Sequence, residues 1–233
     1  YNIYLWDAIN QFIFKMKKVF FSAAALMCGT MLFAQSNVSD VDQSGVSNDS
    51  DVFQQGANND SDVDQYGSVP SNPNSGEAND SDVFQLGDLN KSKVKQAGDR
   101  NQKQIGGDNF SDVDQIGNDN ESRVFQVGIN NSSIVDQIGD LNDSYVSQDG
   151  DDNIETTSQT GNNNVASTIQ DGDQNDSTTL QLGDSNSSMV GQIGLSHLSD
   201  VYQSGNFNTS TVDQSGNTHM SDVDQIGDSN ISI

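Results

Sequence analysis

Residues 131–139 read Asn131-Ser132-Ser133-Ile134-Val135-Asp136-Gln137-Ile138-Gly139, and this stretch decides how the chain folds. The unit Asn-x-Ser-x-Val-x-Gln-x-Gly recurs through most of the 233 residues. Other clean copies are Asn48, Ser50, Val52, Gln54, Gly56; Asn59, Ser61, Val63, Gln65, Gly67; and Asn120, Ser122, Val124, Gln126, Gly128. Seventeen Gln-x-Gly pairs run from Gly45 to Gly227, and fourteen of the sixteen intervals between them are eleven residues. A fixed short period marks one structural unit stacked many times. The repeated residues fall at every second position, and on a strand alternate side chains share a face. Asn, Ser, Val and Gln are therefore placed inward as a core ladder, with the variable residues outward. Gly follows as the turn residue, because it reaches positive φ without a Cβ penalty.

An eleven-residue period also suits a right-handed coiled coil. Composition rules against it: a Gly in every unit costs about 1 kcal/mol in a helix, and Asn, Ser, Asp and Val are poor helix formers. The predicted fold is all-β, an amyloid-like β-solenoid of about eight or nine 22-residue coils with two strands per coil. The 22-residue coil rests on alternation just before Gln, where Asp42, Phe53, Asp64 and Phe84 alternate acid with ring, as do Asp114, Phe125 and Asp136. That pattern predicts two unlike outer faces. His197 and His219 fill the Asn slot 22 residues apart and are expected to stack. Strands about 4.8 Å apart let identical Asn or Gln side chains form hydrogen-bonded ladders. Residues 68–78 hold both prolines of the chain, Pro70 and Pro73, and are read as an inserted loop. The eight-residue spacing before Gly106 is a second defect, a shortened copy at Asn101–Gly106.

Upstream, Met16-Lys17-Lys18 precedes an apolar run from Val19 to Ala34, the layout of a secretory signal peptide. Residues 1–34 are read as upstream residues plus this signal, with translation starting at Met16, and residues 35–233 as the solenoid. The net charge is −25, so nucleic acid is not an expected partner. Cys28 is the sole cysteine and lies in the signal segment, so disulfides and thiolate metal sites are not expected in the array. Asp40 and Asp42 with Asp62, Asp64, Asp112, Asp114, Asp222 and Asp224 point outward. The plain reading makes them solubilising gatekeepers, since stacked like charges repel. The sharper one has the Asp-x-Asp pairs bind a divalent cation; no other cofactor or metal site is expected.

Lys91, Lys93, Lys95, Arg100 and Lys103 form a solvated charge run or dock the acidic face of a neighbour. Glu155 falls on the inward phase, where an unpaired charge is costly, and predicts a local distortion. Phe53, Phe84, Phe125 and Tyr202 are expected on the surface, tolerated there or packing laterally between filaments. No phosphate loop, nucleophile elbow or His/Cys cluster is present in the sequence, so no enzymatic activity is expected. Neither end of the array carries a helix or atypical capping repeat, which predicts head-to-tail addition.

The unit Ser/Asn-x5-Gln-x-Gly-x-x-Asn-x-Ser/Ala-x3-Gln resembles the curlin repeat of bacterial curli fibres. Ser50, Gln54, Gly56, Asn59, Ser61 and Gln65 fit it, as do Ser122, Gln126, Gly128, Asn131, Ser133 and Gln137. The resemblance spans residues 37–230. It implies a secreted subunit that polymerises into extracellular amyloid fibres of the biofilm matrix, for adhesion and cell aggregation. It further implies other curlin subunits, a curli-type export pore and chaperones as partners, and contact with matrix or a host surface. The glycine-rich secretion segment often found in the family is absent from the sequence given. A monomeric secreted β-solenoid, cation-binding adhesin or ice-binding protein, is the alternative. The first would require Gly-Gly-x-Gly-x-Asp loops and the second an outward threonine array, whereas Thr157, Thr168 and Thr179 lie on the inward phase.

Overall fold

The computed structural model describes residues 34–44, 48–66, 79–97 and 107–233. The signal segment up to Phe33, the start at Met16, the loop 68–78, the shortened copy at Asn101–Gly106, and Gly67, Arg100 and Lys103 lie outside the described residues. The strands are β1 (Ala34–Gln35), β2 (Val38–Ser44), β3 (Asp49–Ala57), β4 (Asp60–Tyr66), β5 (Asp80–Leu86) and β6 (Lys91–Ala97). There follow β7 (Phe110–Ile116), β8 (Glu121–Val127), β9 (Ser132–Ile138), β10 (Asp143–Asp149), β11 (Ile154–Thr160) and β12 (Val165–Asp173). The series closes with β13 (Asp176–Leu182), β14 (Ser187–Leu195), β15 (Leu198–Ser204), β16 (Thr209–Asn217), β17 (Met220–Ile226) and β18 (Ile231–Ser232).

Odd-numbered strands form one parallel nine-stranded sheet and even-numbered strands the other. Excluding the two-residue strands β1 and β18, each sheet has eight full rungs, and the chain winds as the predicted two-strand solenoid. From β7 onward paired residues are 22 apart, for example Asp143 with Val165 and Thr157 with Thr179. The first pairings, β1 with β3 and β2 with β4, are also 22 apart, and those in between are 31 or 30, as in Asp60 with Lys91 and Asp80 with Phe110. The extra residues enter between rungs without shifting the in/out phase, since a one-residue slip would turn every side chain over.

One expectation changes here. β5 pairs β7 and β6 pairs β8 directly, so the described ladders carry no rung between β6 and β7. Successive units therefore exchange sheets at this point. Phe53 and Phe84 share a column with Asp114 and Asp136, while Asp42 and Asp64 lead on to Lys95 and Phe125. Each outer face is mixed rather than one apolar and one acidic.

The interior is a valine seam walled by polar columns. Val63, Val83, Val94, Val113, Val124, Val135 and Val146 form one buried cluster, and Val190, Val201 and Val212 another. Thr157, Thr168 and Thr179 separate the two. Each buried Val contributes roughly 1.5–3 kcal/mol.

The turns are tighter than a single glycine would make them. Gly139 has φ +116° and Leu141, two residues on, has φ +62°. The same pair of left-handed positions recurs at Gly128 and Asn130 and at Gly205 and Phe207. Rung-to-rung backbone hydrogen bonds continue through the turn, Gly139 N–H to Ile116 O at 2.9 Å and Leu141 N–H to Asn118 O at 3.0 Å. A Cβ built on Gly139 would lie 2.0 Å from Gly161 O, whereas one on Gly191 meets a movable side chain, Asp213 Oδ1, at 3.0 Å. Gly139→Ala is expected to cost more than about 2 kcal/mol and Gly191→Ala to stay within about 0.5 kcal/mol, read from denaturant midpoints.

Candidate functional site: the amide ladders and the outer faces

The side chains most able to act on another molecule of this shape are the inward amides, because they hydrogen-bond along the axis. Gln126 Nε2 donates to Gln148 Oε1 at 2.9 Å, and Gln148 Nε2 to Gln170 Oε1 at 2.9 Å. The second N–H of each amide crosses the interior: Gln148 Nε2 also reaches Ser132 O at 2.9 Å, on the facing sheet. Gln137 behaves alike toward Gln159 Oε1 and Glu121 O. Gln54 and Gln43 start the two series, Gln54 donating to Gln85 and Gln43 to Gln65, which donates in turn to Gln96.

Asn runs in the reverse sense. Asn131 donates from both backbone N and Nδ2 to Asn109 Oδ1, and its Nδ2 also reaches Gly150 O at 2.7 Å. Asn120 does the same with Asn90 and Gly139, and Asn59 ties Asn37 to Gly87. The Asn and Gln ladders thus offer Gln N–H and Asn carbonyl toward the C-terminal end, with Gln carbonyl and Asn backbone N–H toward the other, while Asn Nδ2 donates both ways. Of the sequence-derived ladder, Asn59, Ser61, Val63, Gln65, Asn120, Ser122, Val124, Gln126, Asn131, Ser133, Val135 and Gln137 are buried. Gly56, Gly128 and Gly139 have positive φ at the turns. Asn48, Ser50, Val52 and Gln54, near the N-terminal edge, are half-buried.

The serine column works differently. The hydroxyls of Ser61, Ser122 and Ser177, among others, are buried with no hydrogen-bond partner. The slot does not depend on a hydroxyl hydrogen bond, and Ala166 fills it on β12. Glu155 fills it on β11, fully buried, with Ser133 Oγ donating at 2.9 Å and Thr157 Oγ1 also donating. β11 keeps its register with β9 and β13, so the expected distortion is absent: two hydroxyls accommodate the carboxyl. Burial pushes its pKa up to about 7, against the lowering effect of Thr157 and Ser133.

His197 stacks on His219 with ring centroids 5.2 Å apart, as the 22-residue coil predicts. His197 Nδ1 accepts His219 N–H and its Nε2 faces Ile193 O, so the imidazole stands in for an asparagine amide.

Outside, Asp40 and Asp42 pair with Asp62 and Asp64 on the next rung, which then meet Lys93 and Lys95. Asp51, Asp82 and Asp112 share a column that ends at Ile134. Burial first, then Asp114, Asp82, Asp136 and Asp80, pushes Asp112 up to about 6. Asp222 is stacked on Asp200, and Asp224 on Tyr202. Among the described residues no group of three or more His, Cys, Asp or Glu is arranged to hold a metal ion.

One column escaped the sequence reading. After the turn glycine of the odd-numbered sheet come Asp88, Asn118, Asp140, Asn162, Asp184, Asn206 and Asp228. Each side-chain oxygen from Asn118 onward accepts the backbone N–H of the preceding member at 2.8–2.9 Å. Alternating Asp with Asn sets charges two rungs apart and so lowers the repulsion a column of Asp would suffer. The signal is visible only when units are compared 22 residues apart.

The family model described as the Curlin associated repeat matches residues 36–67, 117–150, 161–194 and 198–227, more than half of the sequence. The chain belongs to the curlin repeat family. Comparison with curated proteins returns no match. Curlin repeats are structural units rather than catalytic ones, and their ladders account for the Asn, Gln and Gly of the repeat.

The raised carboxyl of Glu155 fixes the sign of a pH effect. An acid whose pKa is raised on folding contributes stability below its unfolded value, here 4.5, and loses it as pH climbs through about 7. The curlin solenoid is expected to resist denaturant better at about pH 5 than at about pH 8. Glu155→Gln flattens that slope and is more stable than the parent at the higher pH, measured by urea midpoints.

Proposed function

We propose that this curlin-repeat protein is a secreted structural subunit that self-assembles head-to-tail into extracellular, curli-like amyloid fibres. The fibres serve the biofilm matrix, in adhesion and cell aggregation. The supporting observation is the polarity of the ladders. Gln148 donates toward Gln170 while Asn153 donates back toward Asn131, so the two ends of any run of rungs are complementary rather than alike. A rung exposed at one end of a solenoid offers the bonding pattern that the opposite end of another copy needs. Addition is heterologous, and heterologous addition that does not close gives an open filament.

Other curlin subunits carry the same repeat and are the natural co-partners. Passage through a curli-type pore with chaperones would require the chain unfolded, and the outward acid columns then act as gatekeepers against premature stacking. Calcium binding by the Asp-x-Asp pairs is a separate proposal, supported only by the carboxylate chemistry of those columns. The test is direct. Purified chain, concentrated and incubated, is expected to give filaments by electron microscopy, amyloid-dye binding, and a meridional reflection near about 4.8 Å. A chain that stays monomeric for days at high concentration overturns the proposal and favours the monomeric binding module.

A further inference from the structure

At the height of β5 to β7 the outer faces of the two sheets carry unlike charge. On the odd-numbered sheet, β5 and β7 present Asp80, Asp82, Asp112 and Asp114 beside the rings of Phe53 and Phe84, which stack at 5.1 Å and 7°. Asp51, Phe53, Asp82, Phe84, Asp112 and Asp114 line an open groove. No Lys or Arg lies on any strand of that sheet. Burial and mutual repulsion raise the carboxyls of Asp82, Asp112 and Asp114, and among the described residues no basic side chain on their own sheet offsets them. On the even-numbered sheet, β6 presents Lys91, Lys93 and Lys95, and β8 adds Arg123. These are all the basic residues on the described strands.

The geometry points to a lateral interface between copies of this chain, in which the lysine strand β6 of one solenoid seats in the Asp- and Phe-lined groove over β5 and β7 of the next. A copy translated sideways, axes parallel, brings its even face against the odd face at equal height. Strands of the two sheets run in opposite directions around the coil, so the outward columns meet in reverse order. Lys95 then falls opposite Asp82 and Asp112, and Lys93 opposite Phe84 and Asp114.

The chain already uses both contacts on itself. Lys95 Nζ lies 5.5 Å over the Tyr66 ring, and Lys93 pairs with Asp62. Lys93 and Asp62 are each 42% exposed, and solvated pairs of this kind exchange partners readily. Lys91 stands between Asp60 and Glu121, and Arg123 pairs with Glu121 and Asp143. Because every copy bears both faces, the contact is heterologous and propagates sideways. It is open to free solenoids as well as to filaments, so it does not depend on end-to-end growth.

Sedimentation and electron microscopy of the full chain at low and high salt test the interface. Side-by-side species are expected at about 10 mM salt and dispersal at about 0.5 M, where screening is short-ranged. Asp112→Asn with Asp114→Asn relieves repulsion within the chain, so the fold is retained, and is expected to weaken pairing at least about tenfold. Lys93→Glu with Lys95→Glu is expected to abolish it, and mixing with Asp112→Lys/Asp114→Lys to restore it. Pairing that persists in the Asn variant, that the mixture fails to restore, or that appears only with added calcium overturns the interface, the last in favour of a cation bridge. End-to-end filaments that remain single at low salt overturn it too, while leaving filament growth intact.

Discussion

The bifurcated side-chain amide of glutamine is the interaction on which the rest of the fold depends. One N–H of Gln148 binds the glutamine of the next rung and the other binds a backbone carbonyl of the facing sheet. A single group therefore sets both the rise along the axis and the gap between sheets. The apolar interior is one Val from each strand, interrupted at Thr157, Thr168 and Thr179, and is too thin to hold two sheets together unaided. Each amide bond adds about 0.5–1.5 kcal/mol net, but a buried amide left unpaired costs about 1–3 kcal/mol. That asymmetry makes the ladder all-or-none, and it makes stability a property of the stack rather than of one unit.

The same constraint explains what varies. The hydrogen-bonding inward slots tolerate exchange only where a substitute keeps the partner geometry, whereas Ala166 and Thr168 fill the Ser and Val slots with no such partner. His197 presents Nδ1 where asparagine presents its carbonyl, and Glu155 borrows two neighbouring hydroxyls. Insertions are admitted between rungs, since they leave the ladders in phase. Outward slots carry no such duty. They hold Asp, Lys, Phe, Thr and Gly191 alike, and charge columns there are broken after a few rungs, by Lys93 and Lys95 in one sheet and Ile134 in the other. The core therefore fixes the axial hydrogen bonding, and the outer faces are free to vary.

Much of this was readable in the sequence because strand alternation and an eleven-residue unit leave few arrangements open. Asn131, Ser133, Val135 and Gln137 are inward, and the 22-residue coil and stacked histidines follow from the same spacing. The shortened copy at Asn101–Gly106 was misleading, since its Gln-x-Gly looks like a rung while the hydrogen-bonded order passes it by. Leu141 and Phe207 gave no sign of their left-handed φ, because packing of turn on turn imposes it against residue preference. The Asp/Asn turn column was hidden for a different reason: its acids accept backbone N–H groups of a neighbouring coil, a role no single unit displays. The ease with which Glu155 is housed depends on hydroxyls from another rung, Ser133, and from its own strand, Thr157.

The most direct measurement is hydrogen exchange at the glutamine side-chain amides, followed by NMR on uniformly labelled chain. The account predicts that the Nε2 protons of Gln126, Gln137, Gln148 and Gln159 are protected as strongly as the strand backbone around them. Side-chain amides exchanging at the rate of free glutamine, while the backbone stays protected, would contradict it.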